Sequence, residues 1–248
     1  MKPQVVTRQF EEYVKNHCCY LWGASGQKVI DTSFGDILRM EHSDKYNACK
    51  VINHVKNLID DGIDLSKALF FDCSGMVIKG LDDHKLFYGD ATADKLYNLG
   101  TPIKLNQVQE GDLAFKGTDK NKGHVGWVGK NNSVIEAKGR DRGVVCVSDV
   151  SSWDYVCHYT WFDELVLNRK LKVGAKGKDV ENLQKALRSH GFECKVDGDF
   201  GAKTKAAVTA FQKAAKLTVL TYGTVAQKTA VALGFTWIKQ QEFNRLLL

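Results

Sequence analysis

Hydrophobic positions along this 248-residue chain repeat with two periods. In the last third, Val180, Leu183 and Leu187 recur at helical spacing over residues 179–190 and Gly191 follows as a stop, which predicts an amphipathic helix. A second helix is predicted from Thr204, with Ala207, Val208 and Phe211 on one stripe. Between the two, Val196-Asp197-Gly198-Asp199-Phe200-Gly201 reads as a turn whose glycines permit backbone shapes that other residues resist. Part of this unit recurs: Gly198-x-Phe200-Gly201-x-Lys203-Thr204 is echoed by Gly223-x-Val225-Ala226-x-Lys228-Thr229, offset by 25 residues. A small three-helix domain containing a short internal repeat is predicted there.

The first two thirds mix the periods. Residues 111–115 and 124–128 read as successive strands, followed by a turn at Lys130-Asn131-Asn132 and a third strand over 134–137. Val51, Val55, Leu58 and Ile59 share one helical stripe. Apolar Phe70-Phe71 leads into Asp72-Cys73-Ser74-Gly75, and Met76-Val77-Ile78 with Leu81 continues as a buried helix, so a strand turns into a helix at the cysteine. A thiol at a helix start faces unpaired N–H groups and the positive end of the dipole, which favours the thiolate. A core cysteine is the competing reading of this position taken alone.

A base for such a thiol is found in His124, because its strand neighbours bring a carboxylate to it. With a three-residue turn, Gly126 lies opposite Glu136, and Glu136 shares a face with His124 as its diagonal neighbour. Cys73, His124 and Glu136 are thereby candidates for nucleophile, base and the group that fixes the base's tautomer. Thiol chemistry of this kind needs no metal and no cofactor. The seven cysteines are odd in number and form no C-x-x-C pair, so a zinc site is not expected and most are read as buried small hydrophobes.

Charge divides the chain at about residue 168. Residues 1–167 carry 20 Lys/Arg against 23 Asp/Glu, and residues 168–248 carry 15 against 6, so the net charge of +6 belongs to the C-terminal third. Such a domain is drawn to polyanions, whether nucleic acid, an acidic membrane surface or the anionic polymers of a cell wall; a solvated lysine face is the plain alternative. Residues 1–15 are interrupted by Lys2, Arg8, Glu11 and Glu12, unlike a secretory signal, and no apolar run is long enough for a membrane span. A soluble chain without stable membrane insertion is expected.

Two resemblances then organise these features. The run Leu171-Lys172-x-Gly174, Gly177-x-Asp179-Val180-x-x-Leu183-Gln184-x-x-Leu187, Val196-Asp197-Gly198 and Lys203-Thr204-x-x-Ala207-Val208-x-x-Phe211-Gln212 resembles the peptidoglycan-binding type 1 domain. This implies a wall-binding module with Asp197, Gly198, Phe200, Lys203 and Thr204 around its groove. In the second repeat Leu220-Thr221-Tyr222 replaces the usual Asp-Gly. Upstream, Tyr20-x-Trp22-Gly23, Asp72-Cys73-Ser74-Gly75, Gly111-Asp112-Leu113 and Gly123-His124-Val125-Gly126 occur in the order of the NlpC/P60 cysteine peptidases.

That second likeness implies an α+β, papain-like fold, with the nucleophile helix packed on an antiparallel sheet. It also implies hydrolysis of amide bonds in peptidoglycan stem peptides, most often after γ-D-glutamate. Cys73 is then nucleophile and His124 base. Glu136 takes the third position, where histidine is usual. Tyr20 binds substrate or the oxyanion, and Trp22, Asp72 and Ser74 stand beside it. Asp72 is expected to secure the turn through its side chain.

The expected organisation is a hydrolase domain over 1–167 and a wall-binding domain over 168–248, in a monomer whose partner is bacterial peptidoglycan and not nucleic acid. The 135–145 run and the Trp22-Gly23-Ala24-x-Gly26-Gln27 stretch look like phage endolysins, which implies a protein held in the host cytoplasm and later released to the wall. Cleavage at N-acetylmuramoyl-L-alanine by the same triad, and a non-catalytic wall-binding protein, are the alternative functions. The long interval between Trp22 and Cys73 is read as an insert that shapes the groove or acts as a lid.

Overall fold

A proline in the first turn and an apolar repeat at Val6, Phe10 and Tyr13 start the chain as helix α1 (Pro3–Lys15). In this computed structural model residues 1–147 and 149–238 are described; residues 239–248 of the expected second domain lie outside the described residues. The chain forms two compact units. One comprises Met1–His84, Asp90–Asn98 and Pro102–His158, and the other Lys85–Gly89, Leu99–Thr101 and the chain from Tyr159 onward.

After α1 come β1 (Cys19–Tyr20), β2 (Ser25–Lys28), α2 (Phe34–Met40), α3 (Lys45–Asp60), β3 (Leu69–Phe71), α4 (Cys73–Asp83) and α5 (Ala93–Leu99). Strands β4 (Thr101–Ile103), β5 (Leu113–Thr118), β6 (Asn121–Val128), β7 (Val134–Gly139), β8 (Gly143–Val147) and β9 (Tyr155–His158) form a six-stranded sheet in the order β4-β9-β5-β6-β7-β8. The pairs β5–β6, β5–β9, β6–β7 and β7–β8 are antiparallel. Helix α4 packs on β6 and β7, which is the α+β arrangement the NlpC/P60 resemblance implies. Trp127 is fully buried on β6, packs against Phe10 of α1 with ring centroids 5.0 Å apart and the planes tilted by 40°, and donates its indole N–H to Thr7 at 3.0 Å.

Two glycines in α4 are set by close packing. A Cβ at Gly75 would sit 2.1 Å from the Ala24 carbonyl oxygen, and one at Gly80 would meet the Phe10 ring at 2.3 Å. The same Ala24 oxygen accepts the Asp72 N–H at 2.8 Å, so the first turn of α4 is seated directly on the chain that follows β1. The insert between Trp22 and Cys73 builds a hydrophobic cluster together with Cys19 and Leu21, in which Ile37, Ala48, Val51, Leu65 and Phe70 are buried and Val55 and Leu58 pack at its edge. Its predicted stripe holds except at Ile59, which is 58% exposed, because α3 covers the cluster with a face too narrow to include it.

The second unit contains β10 (Leu165–Leu167), α6 (Lys178–Ser189), α7 (Ala202–Ala214), α8 (Gln227–Ala232) and β11 (Phe235–Trp237), with β10 and β11 paired in parallel. Val180, Leu183, Leu187, Val208 and Phe211 are fully buried, as the periodicity predicts. The internal repeat is built by two buried glutamines. Gln184 Oε1 accepts the N–H groups of Asp197 and Gly198, both at 2.9 Å, and its Nε2 donates to Asp197 Oδ1, the Asp199 carbonyl and Thr204 Oγ1. Gln212 does the same in the second copy: its Oε1 accepts the Gly223 N–H at 2.8 Å and its Nε2 donates to the Thr224 carbonyl and Thr229 Oγ1. Gly198 and Gly223 both have positive φ, at 70° and 78°.

Removal of the Gln184 amide leaves backbone N–H groups at 197 and 198 without their acceptor, a loss of about 2–4 kcal/mol. Gln184→Ala in the full chain is expected to lose hydrogen-exchange protection at Asp197, Gly198 and the start of α7. Protection unchanged at those amides would show that the turn is held by other contacts.

Candidate active site

Tyr20, Trp22, Asp72, Cys73, Ser74 and Gly123 line one cleft of about 650 Å³, and His124 and Glu136 stand on the strands beyond Gly123, outside that lining. Cys73 is the first residue of α4 and half-buried. Asp72 caps that helix: its Oδ1 accepts the Gly75 N–H at 2.6 Å and the Ser74 hydroxyl at 3.1 Å, while Oδ2 accepts the Gly23 N–H at 3.0 Å. The Asp-Cys-Ser-Gly tetrapeptide is therefore a helix cap that leaves the thiol at the mouth of the dipole, with Asp72 and Ser74 bonded to each other. Trp22 is half exposed on the cleft rim, and Tyr20 is buried.

His124 stands on β6, next to α4. Its Nε2 lies 2.5 Å from Glu136 Oε2 on the adjoining strand β7. The paired residues Trp127↔Ile135 and Val128↔Val134 fix this register, and carried inward it sets Gly126 opposite Glu136. The three-residue turn at 130–132 closes with a hydrogen bond between Gly129 and Ser133, as the spacing predicts. Glu136 is 2% exposed. Burial acts to raise its pKa, yet the hydrogen bond and charge of His124, with Lys138 and Lys116 adding to them, hold it below the ordinary carboxylate value.

The imidazole is shifted the opposite way. Its burial favours the neutral ring, but the nearby Cys73 and the hydrogen bond and negative charge of Glu136 outweigh this and raise its pKa to about 9. Glu136 thus holds one side of the ring, and Cys73 lies near enough to act on its charge. With Nε2 occupied by Glu136, Nδ1 is the nitrogen left for the thiol. Tyr20 is pushed well above the ordinary phenol range, first by burial and then by the nearby Cys73 and Asp72, so its hydroxyl stays protonated and able to donate.

One residue of this array escaped sequence reasoning. Trp153 stacks flat on His124, with ring centroids 5.5 Å apart and 14° between planes. It is 3% exposed, and the Lys116 ammonium lies 5.0 Å from the centre of its ring. Gly126 makes the approach possible, since a Cβ there would sit 3.0 Å from Trp153 and 2.5 Å from Val134. The only trace of this in the chain is the glycine two residues after the histidine. The Gly111-Asp112-Leu113 motif is structural: Asp112 is buried, accepts the Gln109 N–H at 2.9 Å and pairs with His158 Nδ1 at 2.7 Å at the start of the β5–β9 ladder.

The five residues predicted on the C-terminal module divide by exposure. Phe200 is fully buried, Thr204 is bonded to Gln184 and Gly198 forms the turn, whereas Asp197 and Lys203 are exposed. All seven cysteines are free; Cys18, Cys19, Cys157 and Cys194 are buried and Cys49 and Cys146 exposed. Among the described residues no group of His, Cys, Asp or Glu is arranged to hold a metal ion, and no helix is long and apolar enough to cross a membrane.

Residues 60–161 match the NlpC/P60 family, and residues 176–225 match the family described as "Putative peptidoglycan binding domain". Among solved structures, the SleB N-terminal domain is similar at 38% identity over 28% of this chain and 93% of that one, with a TM-score of 0.26. The P60 domain of an antigen from M. avium subspecies paratuberculosis is similar at 17% identity, over 63% of this chain and 96% of that one, TM-score 0.37. The NlpC/p60 domain of the peptidoglycan hydrolase SagA is similar at 23% identity, over 44% and 97%, TM-score 0.32. No curated protein matches the chain.

The shifts of His124 and Glu136 set a pH window for stability. The raised imidazole contributes fully below its ordinary value of 6.5 and loses its contribution as pH rises through about 9. The lowered carboxylate contributes above its ordinary value of 4.5 and loses its contribution as pH falls through its folded value. Wild type is therefore expected to exceed Glu136→Gln most in unfolding midpoint between those two ordinary values, with the gap closing above about pH 9. NMR titration of the His124 ring should give a midpoint near 9 that drops in Glu136→Gln and in Cys73→Ala. A midpoint indifferent to both substitutions would break the proposed connection.

Proposed function

We propose that this chain, an NlpC/P60 domain followed by a peptidoglycan-binding domain, hydrolyses amide bonds in peptidoglycan stem peptides, with Cys73 as nucleophile, His124 as base and Glu136 as the orienting carboxylate. The observation that carries this reading is an imidazole on β6 held by a buried carboxylate, on the strand pair against which the helix that begins at Cys73 packs. The bond we assign is the one between D-glutamate and the diamino acid, an endopeptidase reaction.

In the reaction, His124 holds the thiol proton as imidazolium and the Cys73 sulfur, as thiolate, attacks the amide carbonyl carbon. The oxyanion lies against the Cys73 backbone N–H at the helix start, and the Tyr20 hydroxyl donates a second hydrogen bond. His124 returns the proton to the leaving amine as the C–N bond breaks, and Glu136 stabilises the imidazolium while it exists. Water activated by His124 then cleaves the thioester and restores the thiol. Trp153 stacked on the ring and Glu136 behind it limit the imidazole to one orientation throughout. The basic C-terminal module holds the chain on the wall, where exposed groups such as Lys203 meet anionic polymer, and so raises the local concentration of substrate.

Cys73→Ala is expected to abolish release of soluble fragments from purified peptidoglycan while the protein still sediments with the wall, and iodoacetamide is expected to inactivate wild type where EDTA does not. Mass spectrometry of the digest should find new amino termini on the diamino acid; free L-alanine termini would reassign the enzyme as an N-acetylmuramoyl-L-alanine amidase. Lysis by a folded Cys73→Ala protein would remove Cys73 from the mechanism. Glu136→Gln should lose activity in part and Glu136→Ala more, in kcat rather than KM.

Because residues 168–248 carry 15 basic against 6 acidic side chains, the inactive Cys73→Ala protein should also release from the wall as salt rises. Sedimentation independent of salt would assign the attachment to uncharged contacts.

A further inference from the structure

Behind Tyr20 lies a charged pair that no motif marks. Glu41 ends α2, inside the insert between Trp22 and Cys73, and is 3% exposed. Its Oε2 accepts from Arg140 Nε at 2.9 Å and Nη2 at 2.6 Å, and its Oε1 accepts the backbone N–H of Trp22 at 3.2 Å. Arg140 follows directly on β7, the strand of Glu136, and its guanidinium lies 5.5 Å from the centre of the Tyr20 ring. Tyr20 and Trp22 line the cleft that contains Cys73. One buried carboxylate thus holds the backbone of one cleft residue and, through a cation, the face of another.

A buried carboxylate is tolerated only with its charge met, so Glu41 and Arg140 fix each other's position. A guanidinium against the face of a phenol restrains the ring and draws electron density from it, which strengthens the hydroxyl as a donor. We infer that Glu41 and Arg140 are positioning residues for the proposed hydrolysis, Glu41 by fixing the Trp22 backbone and the Arg140 guanidinium, and Arg140 by holding the Tyr20 phenol as an oxyanion donor. This rests on the reading of Cys73 and Tyr20 given above. The insert thereby acquires a role at the cleft, since its cluster of Ile37, Ala48 and Val51 is the footing that carries Glu41 to the wall.

The test is a double-mutant cycle in the full chain, with steady-state kinetics on soluble muropeptides. Lysine keeps the charge of Arg140 but lacks the planar fork, so Arg140→Lys is expected to lower kcat about tenfold with little change in KM. Glu41→Gln should act in the same direction. In a Tyr20→Phe background, which removes the hydroxyl and keeps the ring, Arg140→Lys should cost less than about twofold.

An equal kcat loss from Arg140→Lys in both backgrounds would reduce the pair to a structural salt bridge and overturn the inference. So would wild-type kcat in a folded Arg140→Lys protein, or in Tyr20→Phe. If Glu41→Gln fails to fold, Arg140→Lys and the cycle still decide. Cys73→Ala separates the two levels: residual hydrolysis by it sinks the reading of the site, whereas an inactive Cys73→Ala beside an additive cycle sinks only the role of Glu41 and Arg140.

Discussion

The contact on which the cleft depends is the hydrogen bond between His124 and the buried carboxylate of Glu136. A carboxylate with 2% exposure cannot stay ionised without a partner, and an imidazole beside it is drawn toward its charged form. Each group therefore fixes the other, and the strand register that pairs them becomes costly to slip, because a shift of one residue sends Glu136 to the opposite face. The small residue at Gly126 follows from the same geometry. It leaves room on that face for Trp153, which closes the other side of the ring.

The start of α4 is set beside this hairpin through backbone packing. Ala24 offers its carbonyl to the Asp72 N–H, and Gly75 lets the helix sit on that carbonyl with no side chain between. Asp72 then joins the Gly75 and Gly23 amides with its two oxygens, so the loop after Tyr20 and the first turn of α4 are one hydrogen-bonded piece. Glu41 extends that piece to Trp22 and Arg140. The precision of the cleft comes from main-chain contacts of short side chains, and the longer Trp22, Tyr20 and Arg140 are laid over them.

What the sequence made legible is local in origin. A cysteine preceded by an aspartate and followed by a buried apolar stripe announces a capped helix, and a three-residue turn fixes which residues face each other across a hairpin. Both readings name Cys73, His124 and Glu136 without reference to anything distant. Trp153 and the Glu41–Arg140 pair were not legible, because 29 residues separate Trp153 from His124 and 99 separate Arg140 from Glu41, and no periodicity links them. Helix α1 could have been read from Val6, Phe10 and Tyr13, whose spacing matches one face. The exposure of Ile59 marks the usual limit of stripe reading: periodicity gives the face of a helix but not how much of it the neighbouring layer covers.

In the C-terminal unit, the residues that carry the family likeness turn out to be occupied in building the turn. Gln184 and Gln212 each close a glycine turn with positive φ and each reach the threonine in the first turn of the next helix. The second copy does this with Tyr222 where the first has Asp197, while the glutamine, glycine and threonine stand in both. A repeat kept within one chain at those three positions is a repeat of folding instructions. Phe200 belongs with them, fully buried between the helices. The side chains that the repeat leaves exposed include Asp197 and Lys203 in the first copy and Leu220, Tyr222 and Lys228 in the second. The two halves share a scaffold and an exposed lysine, and differ where Tyr222 of the second stands in place of Asp197 of the first.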